Sequence, residues 1–185
     1  MDSLAPHKGR LLVAEPSILS DSSFNRSVVL LTEHSQDSSI GFILNKPLSY
    51  TLRDLIPDID CDFIVYQGGP VEQDNLYFIH QIPEHIPNSI EVGNGIYWGG
   101  NFDSLVDLLN DKKIDSSSIR FFLGYSGWAS NQLLDEMDTN SWFCIENSYP
   151  NILKEKNNSF WKNHLLEIGG KYKLWANAPS DPKLN

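Results

Sequence analysis

The sequence predicts a single α+β domain, on three observations. Eight or nine short strand-like segments are mixed with about four short helices, without the steady strand-helix alternation of a doubly wound sheet. No internal repeat, low-complexity tract or long linker divides the chain, so residues 1–185 read as one unit. The stretch from Phe121 to Glu136 then changes period, from a buried strand to a helix, and so marks where the core lies.

The elements follow in order. Gly9 to Ala14 reads as a first strand, stopped by Pro16. After a loop at Asp21 to Arg26, Val28 to Thr32 is a nearly continuous apolar run, as in a strand covered on both faces. Gly41 to Asn45 follows the polar turn Ser35 to Ser39, and the two segments are expected to pair as a hairpin. That pairing puts Glu33 and His34 at the turn end and Asn45 at the far end, nearer Arg26. Thr51 to Asp54 resembles a capping box, with Asp in place of Glu or Gln, and opens a short helix that closes before Pro57. Phe63 to Tyr66 and Leu76 to Ile79 read as strands, the first leading into Gly68-Gly69-Pro70, and Ile90 to Trp98 supplies two more around Gly93-Asn94-Gly95.

The helix after Asn101 is amphipathic, with Phe102, Leu105, Val106, Leu108 and Leu109 as its buried side. Ile119, Phe121 and Leu123 alternate with Arg120 and Phe122 as strand residues do, and Gly124 and Gly127 are expected to open a sharp corner at Trp128, a core residue. Ser130 is expected to cap the next helix, where Leu133, Leu134 and Met137 recur at helical spacing. Trp142 to Ile145 gives a last strand, and Ser159 to Ile168 a surface helix stopped by Gly169-Gly170.

Composition narrows the function classes. A chain of 185 residues, 41% hydrophobic, can bury about 70% of its unfolded surface and needs no staples. Two cysteines make no disulfide framework, and Cys61 lies between Asp60 and Asp62, whose charge disfavours a thiolate, so both are read as reduced. Leu11 to Ala14 is too short for a signal-peptide core and no apolar run approaches membrane-spanning length. The expected setting is cytoplasmic, with no membrane partner, where the sequons at Asn25 and Asn157 carry no meaning. The net charge is −10 and the pI about 4.8. Six of the fourteen basic residues follow Leu153, which leaves 8 basic against 21 acidic residues in the first 152 and a field that repels duplex DNA. The basic tail reads as a solvated helix face that complements the acidic body.

The familiar chemical signatures fail one by one. Gly124-Tyr-Ser126-Gly-Trp128 looks like a nucleophile elbow but lacks the glycine two places after the serine, so Ser126 reads as a turn serine bonded to its own backbone. Asp58, Asp60 and Asp62 have calcium-loop spacing, but Phe63 and Gly69 stand where Gly and Glu belong, which leaves a solvated acidic loop. Gly93 and Gly95 are followed by Gly99, one residue late for a dinucleotide loop, and no phosphate loop exists. His80 and His85 are separated by Pro83 and share no helical face, and neither cysteine has a close histidine. No metal and no cofactor is expected.

What remains is a set of polar residues at strand ends and loops that are the candidate ligand- or partner-binding residues: Arg26, His34, Asn45 and Gln132, with Glu136 one helical turn after Gln132. Three of them have a plainer reading as well. His34 would hold a turn, Asn45 would make an Asx-type turn before Pro47, and Gln132 would be a buried amide tying the corner to a neighbouring loop.

These residues fall within a longer series of ordered pieces: Gly9 to Ala14, Phe24 with Arg26 to Leu31, Glu33-His34, Gly41 to Pro47, Gly68 to Val71, Leu123 to Trp128, Gln132-Leu133, Trp142 and Asp181 to Asn185. On them the chain resembles the YqgE/AlgH family of bacterial proteins over nearly its whole length. The resemblance implies one α+β domain whose mixed, bifurcated sheet folds into a pseudo-barrel flanked by helices. It implies no reaction, and the family's label of transcriptional regulator is a naming tradition. The chain departs from the family's Gly-Gln-Leu-Glu run, with Asn131 for the glycine and Leu134 for the glutamate. The function expected is therefore a non-catalytic binding or regulatory domain with a protein or small-molecule partner. The alternative is an enzyme that uses His34 or Glu136 as a base in a polar cleft. Direct DNA-binding regulation is disfavoured by charge and by the lack of a helix-turn-helix pattern.

Overall fold

The structure is a computed structural model that describes residues 3–18, 21–148, 152–154 and 159–178. The sequon at Asn157 and the motif Asp181 to Asn185 lie outside the described residues. Among the described residues, ten strands and five α-helices occur in the order β1 (Leu11–Ala14), β2 (Val28–His34), β3 (Ser38–Ile43), β4 (Pro47–Thr51), α1 (Leu52–Leu55), β5 (Ile64–Gln67), β6 (Val71–His80), β7 (Ile90–Gly93), β8 (Ile96–Trp98), α2 (Phe102–Asn110), β9 (Ile119–Ala129), α3 (Gln132–Asp138), β10 (Trp142–Ile145), α4 (Ser159–Ile168) and α5 (Tyr172–Ala176).

One sheet in the order β10-β1-β2-β3-β9-β6-β8-β7 carries the fold, and β4 and β5 branch from it. β9 is the fork. One of its edges pairs antiparallel with β6, from His80 opposite Ile119 to Val71 opposite Tyr125. The other edge pairs first with β5, parallel, at Phe121 to Leu123, and then with β3, antiparallel, at Ser126 to Ala129. The sheet is mixed and bifurcated, and it is not closed: β7 and β10 end the path without pairing with each other. Side chains bridge its ends instead. Asn94 Nδ2 donates to the Asn147 carbonyl, and Lys8 Nζ reaches the Glu91 carbonyl at 2.8 Å.

The fork explains why β9 is apolar at most of its positions. β9 sits between two cores, with Ile119 and Phe121 in one beside Leu52, Val65, Leu105 and Leu109, and Phe122 in the other beside Leu30, Phe42 and Tyr66. A strand covered on both faces has no side left for polar residues. The one cation there, Arg120, is 3% exposed, and its guanidinium donates to the carbonyls of Leu44 and Leu153 and lies over the Tyr66 ring.

Several expectations are corrected. No corner forms at Gly124 to Trp128, because β9 runs on to Ala129 and the reversal falls at Asn131, whose φ is 61°. The glycines serve close approach instead: a Cβ on Gly68 would stand 2.1 Å from the Gly124 carbonyl oxygen. Ser126 is no turn serine but a buried strand residue, whose hydroxyl donates to the Gly68 carbonyl at 3.0 Å and ties β9 to the chain leaving β5. Ser130 does not cap α3. Asn131 precedes the helix without a side-chain cap, and Ser130 Oγ donates to the Gln36 carbonyl at 2.9 Å. The helix α4 is no surface helix either. It buries Phe160, Trp161, His164 and Leu165, with Trp161 Nε1 donating to the Ala14 carbonyl at 2.7 Å. On α2 only Leu105 and Leu109 are buried, while Phe102 is exposed. The capping box before α1 forms, with Thr51 N and Oγ1 both donating to Asp54 Oδ2. No helix among the described residues is long and apolar enough to cross a membrane.

Candidate functional site

The hairpin of β2 and β3 ends in a polar tip. Ser35 N donates to the Ser38 carbonyl at 2.9 Å, and the Ser35 hydroxyl accepts from the backbone of Asp37 and Ser38. At the base of the tip His34 Nδ1 lies 2.8 Å from Ser39 Oγ. Because Ser38 pairs with Ala129, and Ser39 with Trp128, the tip is held beside the point where β9 turns into α3. Between them opens a cleft of about 650 Å³, lined by His34 to Asp37 and Ser39 on one side and by Ala129 to Asn131, Leu133 and Leu134 on the other.

Two features set the chemistry of the cleft. Burial, and then the neighbouring His7, hold the proton affinity of His34 below its ordinary value, so the imidazole is neutral at physiological pH. The two segments that line the cleft carry acidic residues and no basic ones, since no lysine or arginine occurs between Arg26 and Lys46 or between Arg120 and Lys154, whereas Glu33, Asp37, Asp135, Glu136 and Asp138 do. Leu134 is 44% exposed at the cleft wall.

Gln132 and Glu136 meet as their spacing suggests, with Gln132 Nε2 donating to Glu136 Oε1 at 2.9 Å. The other carboxylate oxygen, Oε2, accepts from two indoles: Trp128 Nε1 at 2.9 Å and Trp142 Nε1 at 2.8 Å. Gln132 is exposed rather than buried, and its Oε1 accepts from Ala129 N at 3.0 Å, which ties the strand end to the helix start. Both residues therefore brace the floor beside the cleft.

Arg26 and Asn45 lie at the opposite end of β2. Asn45 is fully buried, and its side chain makes no local Asx turn. It accepts from Val28 N and donates to the Arg26 carbonyl, each at 2.9 Å, so it joins the chain entering β2 to the chain leaving β3. Arg26 has φ 55°, donates from Nη2 to the Ala178 carbonyl at 3.0 Å and lies 5.2 Å from the Trp161 ring. The structure thus gathers His34, Gln132 and Glu136 around one end of the hairpin and leaves Arg26 and Asn45 at the other. Sequence reasoning missed Ser130, Asn131 and the tip residues Ser35 to Asp37 as cleft walls. The signal was present in the polar turn, but nothing local says which segment packs beside it. Among the described residues no group of three or more His, Cys, Asp or Glu side chains is placed to hold a metal ion.

A family model described as AlgH-like matches residues 11–173. A UPF0301 protein of Chlorobium chlorochromatii is 40% identical over 96% of this chain and 94% of its own length. Another from Bacteroides fragilis is 37% identical over 100% of this chain and 94% of its own. Among solved structures, a protein from Corynebacterium diphtheriae superposes with a TM-score of 0.78 at 22% identity, covering 96% of this chain and 95% of that one. The solution structure of the AlgH protein from Pseudomonas aeruginosa gives 0.72 at 22% identity, covering 97% and 98%. These two share the fold; the sequence match carries the membership, and the chain belongs to the AlgH-like family.

Proposed function

We propose that this chain is a non-catalytic binding domain with a regulatory role, whose partner seats in the cleft between the hairpin tip and the start of α3. The observation that carries this reading is the commitment of Glu136, one of the two candidate bases, which accepts three hydrogen bonds from Gln132 and the two indoles. A general base needs a lone pair aimed at substrate, whereas a binding wall needs fixed polar groups beside an apolar surface, as Ser130, Asn131 and Leu134 supply here. The negative field favours a neutral or cationic partner. Regulation would then run through a protein or small molecule rather than duplex DNA, in a cytoplasmic setting that suits two buried free cysteines.

Amide chemical shifts of the labelled protein, followed through additions of small polar fragment mixtures, test this. Perturbations are expected to cluster at residues 34–39 and 129–134. A set scattered over the sheet, or centred on Arg26 and Asn45, would overturn the assignment.

A further inference from the structure

The loop after α1 is more than a solvated acidic segment. Arg53 donates to Asp60, and its Nε lies 3.3 Å from Asp62. Lys112, just past the end of α2, sits 3.3 Å from the second oxygen of Asp60. The Asp60 carboxylate is therefore clasped between a guanidinium and an ammonium. Beneath this rim is a cavity of about 310 Å³, with Cys61, Phe63, Leu109 and Ile114 forming its apolar wall. The rim side chains are 47% to 74% exposed. Ion pairs so exposed contribute little to stability and are cheaply opened.

We propose that this pocket binds a free α-amino acid with a branched aliphatic side chain. The ligand carboxylate takes the place of Asp60 between Arg53 and Lys112, the ammonium meets the released Asp60 together with Asp62, and the side chain enters the apolar wall. Charge balance selects the zwitterion. Two cations and two carboxylates cancel at the rim, so an acid alone or an amine alone adds an unbalanced charge, whereas a zwitterion exchanges each internal pair for an equivalent one. That a carboxylate fits between the two cations is shown by Asp60 itself. The volume lies at the small end of the range for ligand pockets, about 300–1,000 Å³, and has room for one amino acid. The site belongs to the core of α1, α2 and β5, distinct from the hairpin cleft, and stands or falls apart from it.

The test is an amide-shift titration of the whole chain with L-leucine, with 4-methylpentanoate, which lacks the amine, and with 3-methylbutylamine, which lacks the carboxylate. L-Leucine is expected to give saturable shifts at residues 53, 60–63 and 109–114 and to bind at least about tenfold tighter than either analogue. Arg53→Gln and Lys112→Gln are each expected to weaken it at least about tenfold with the denaturant midpoint unchanged, and Lys112→Gln carries the test should Arg53→Gln disturb the fold. No saturable shift up to about 10 mM, equal affinity for the analogues, or shifts confined to residues 34–39 and 129–134 would overturn the proposal.

Discussion

The indole nitrogen of Trp128 donates to Oε2 of Glu136 at 2.9 Å, and the same oxygen accepts from Trp142 at 2.8 Å, so one carboxylate fastens two core tryptophans from strands that are not neighbours in the sheet. The rings also meet edge-on, with centroids 5.9 Å apart. The indoles are buried, at 3% and 2% exposure, so losing the acceptor strands both donors away from water. An unsatisfied buried donor costs about 1–3 kcal/mol, and Glu136→Ala is expected to lower unfolding stability by about 2–4 kcal/mol in urea. Glu136→Gln, which keeps a carbonyl oxygen, loses less. An unchanged midpoint in Glu136→Ala would show that the indoles do not depend on it.

Trp128 itself packs between Phe24 and Trp142. Trp128→Ala is expected to cost about 3–5 kcal/mol, a large share of a domain's stability. A parent-like midpoint would show that the side chain is a contact residue rather than core.

Acid sensitivity should come from buried histidines. His80 is fully buried, with Nε2 donating to the Gly99 carbonyl and Nδ1 accepting from Ile82 N, both at 3.2 Å, which requires the neutral ring. Burial holds its pKa below the ordinary 6.5, and burial does the same to His164. Below about pH 6.5 the unfolded chain therefore binds protons that the folded chain refuses. Stability falls as pH drops through that window and levels off below the folded values, by at most about 1.4 kcal/mol per pH unit for each histidine. Urea midpoints at pH 7.5, 6.5 and 5.5 check this, and His80→Asn should flatten the slope. A midpoint independent of pH over the range would contradict it.

The chain is expected to show no appreciable complex with duplex DNA at physiological salt. Eight basic residues against 21 acidic ones in the first 152 cannot cover a phosphate track. Fluorescence anisotropy with a labelled duplex reads this directly, and a sequence-specific complex tighter than about 1 μM would contradict it.

Local pattern carried much of the fold. The hairpin of β2 and β3, the short strands β7 and β8, the capping box before α1 and the limits of β10 and α4 are all legible, because each rests on neighbours in sequence. The passage through Gly124 to Trp128 was not. Glycines that permit a turn equally permit another chain to come close, and only the tertiary pairing with β3, β5 and β6 shows the second use. β4 and α5 escaped for a related reason, since Pro47 to Thr51 and Tyr172 to Ala176 have weak periodicity and are ordered by what they pack on. Within the site, the contact of Gln132 with Glu136 follows from helical spacing. The indole clamp and the cleft wall at Ser130 join segments far apart in the chain, and no local pattern announces that.

The claim that the hairpin cleft exists for binding is tested most directly on His34. His34→Ala and Asn45→Ala should be compared in urea unfolding and, by shift titration, in affinity for a fragment that the parent binds. Asn45→Ala, which strands Val28 N and the Arg26 carbonyl in the core, is expected to lose about 1–3 kcal/mol. His34→Ala is expected to stay within about 0.5 kcal/mol of the parent while fragment affinity falls at least about tenfold. A His34→Ala variant that loses as much stability as Asn45→Ala and still binds the fragment like the parent would show that His34 is scaffold and the cleft reading wrong.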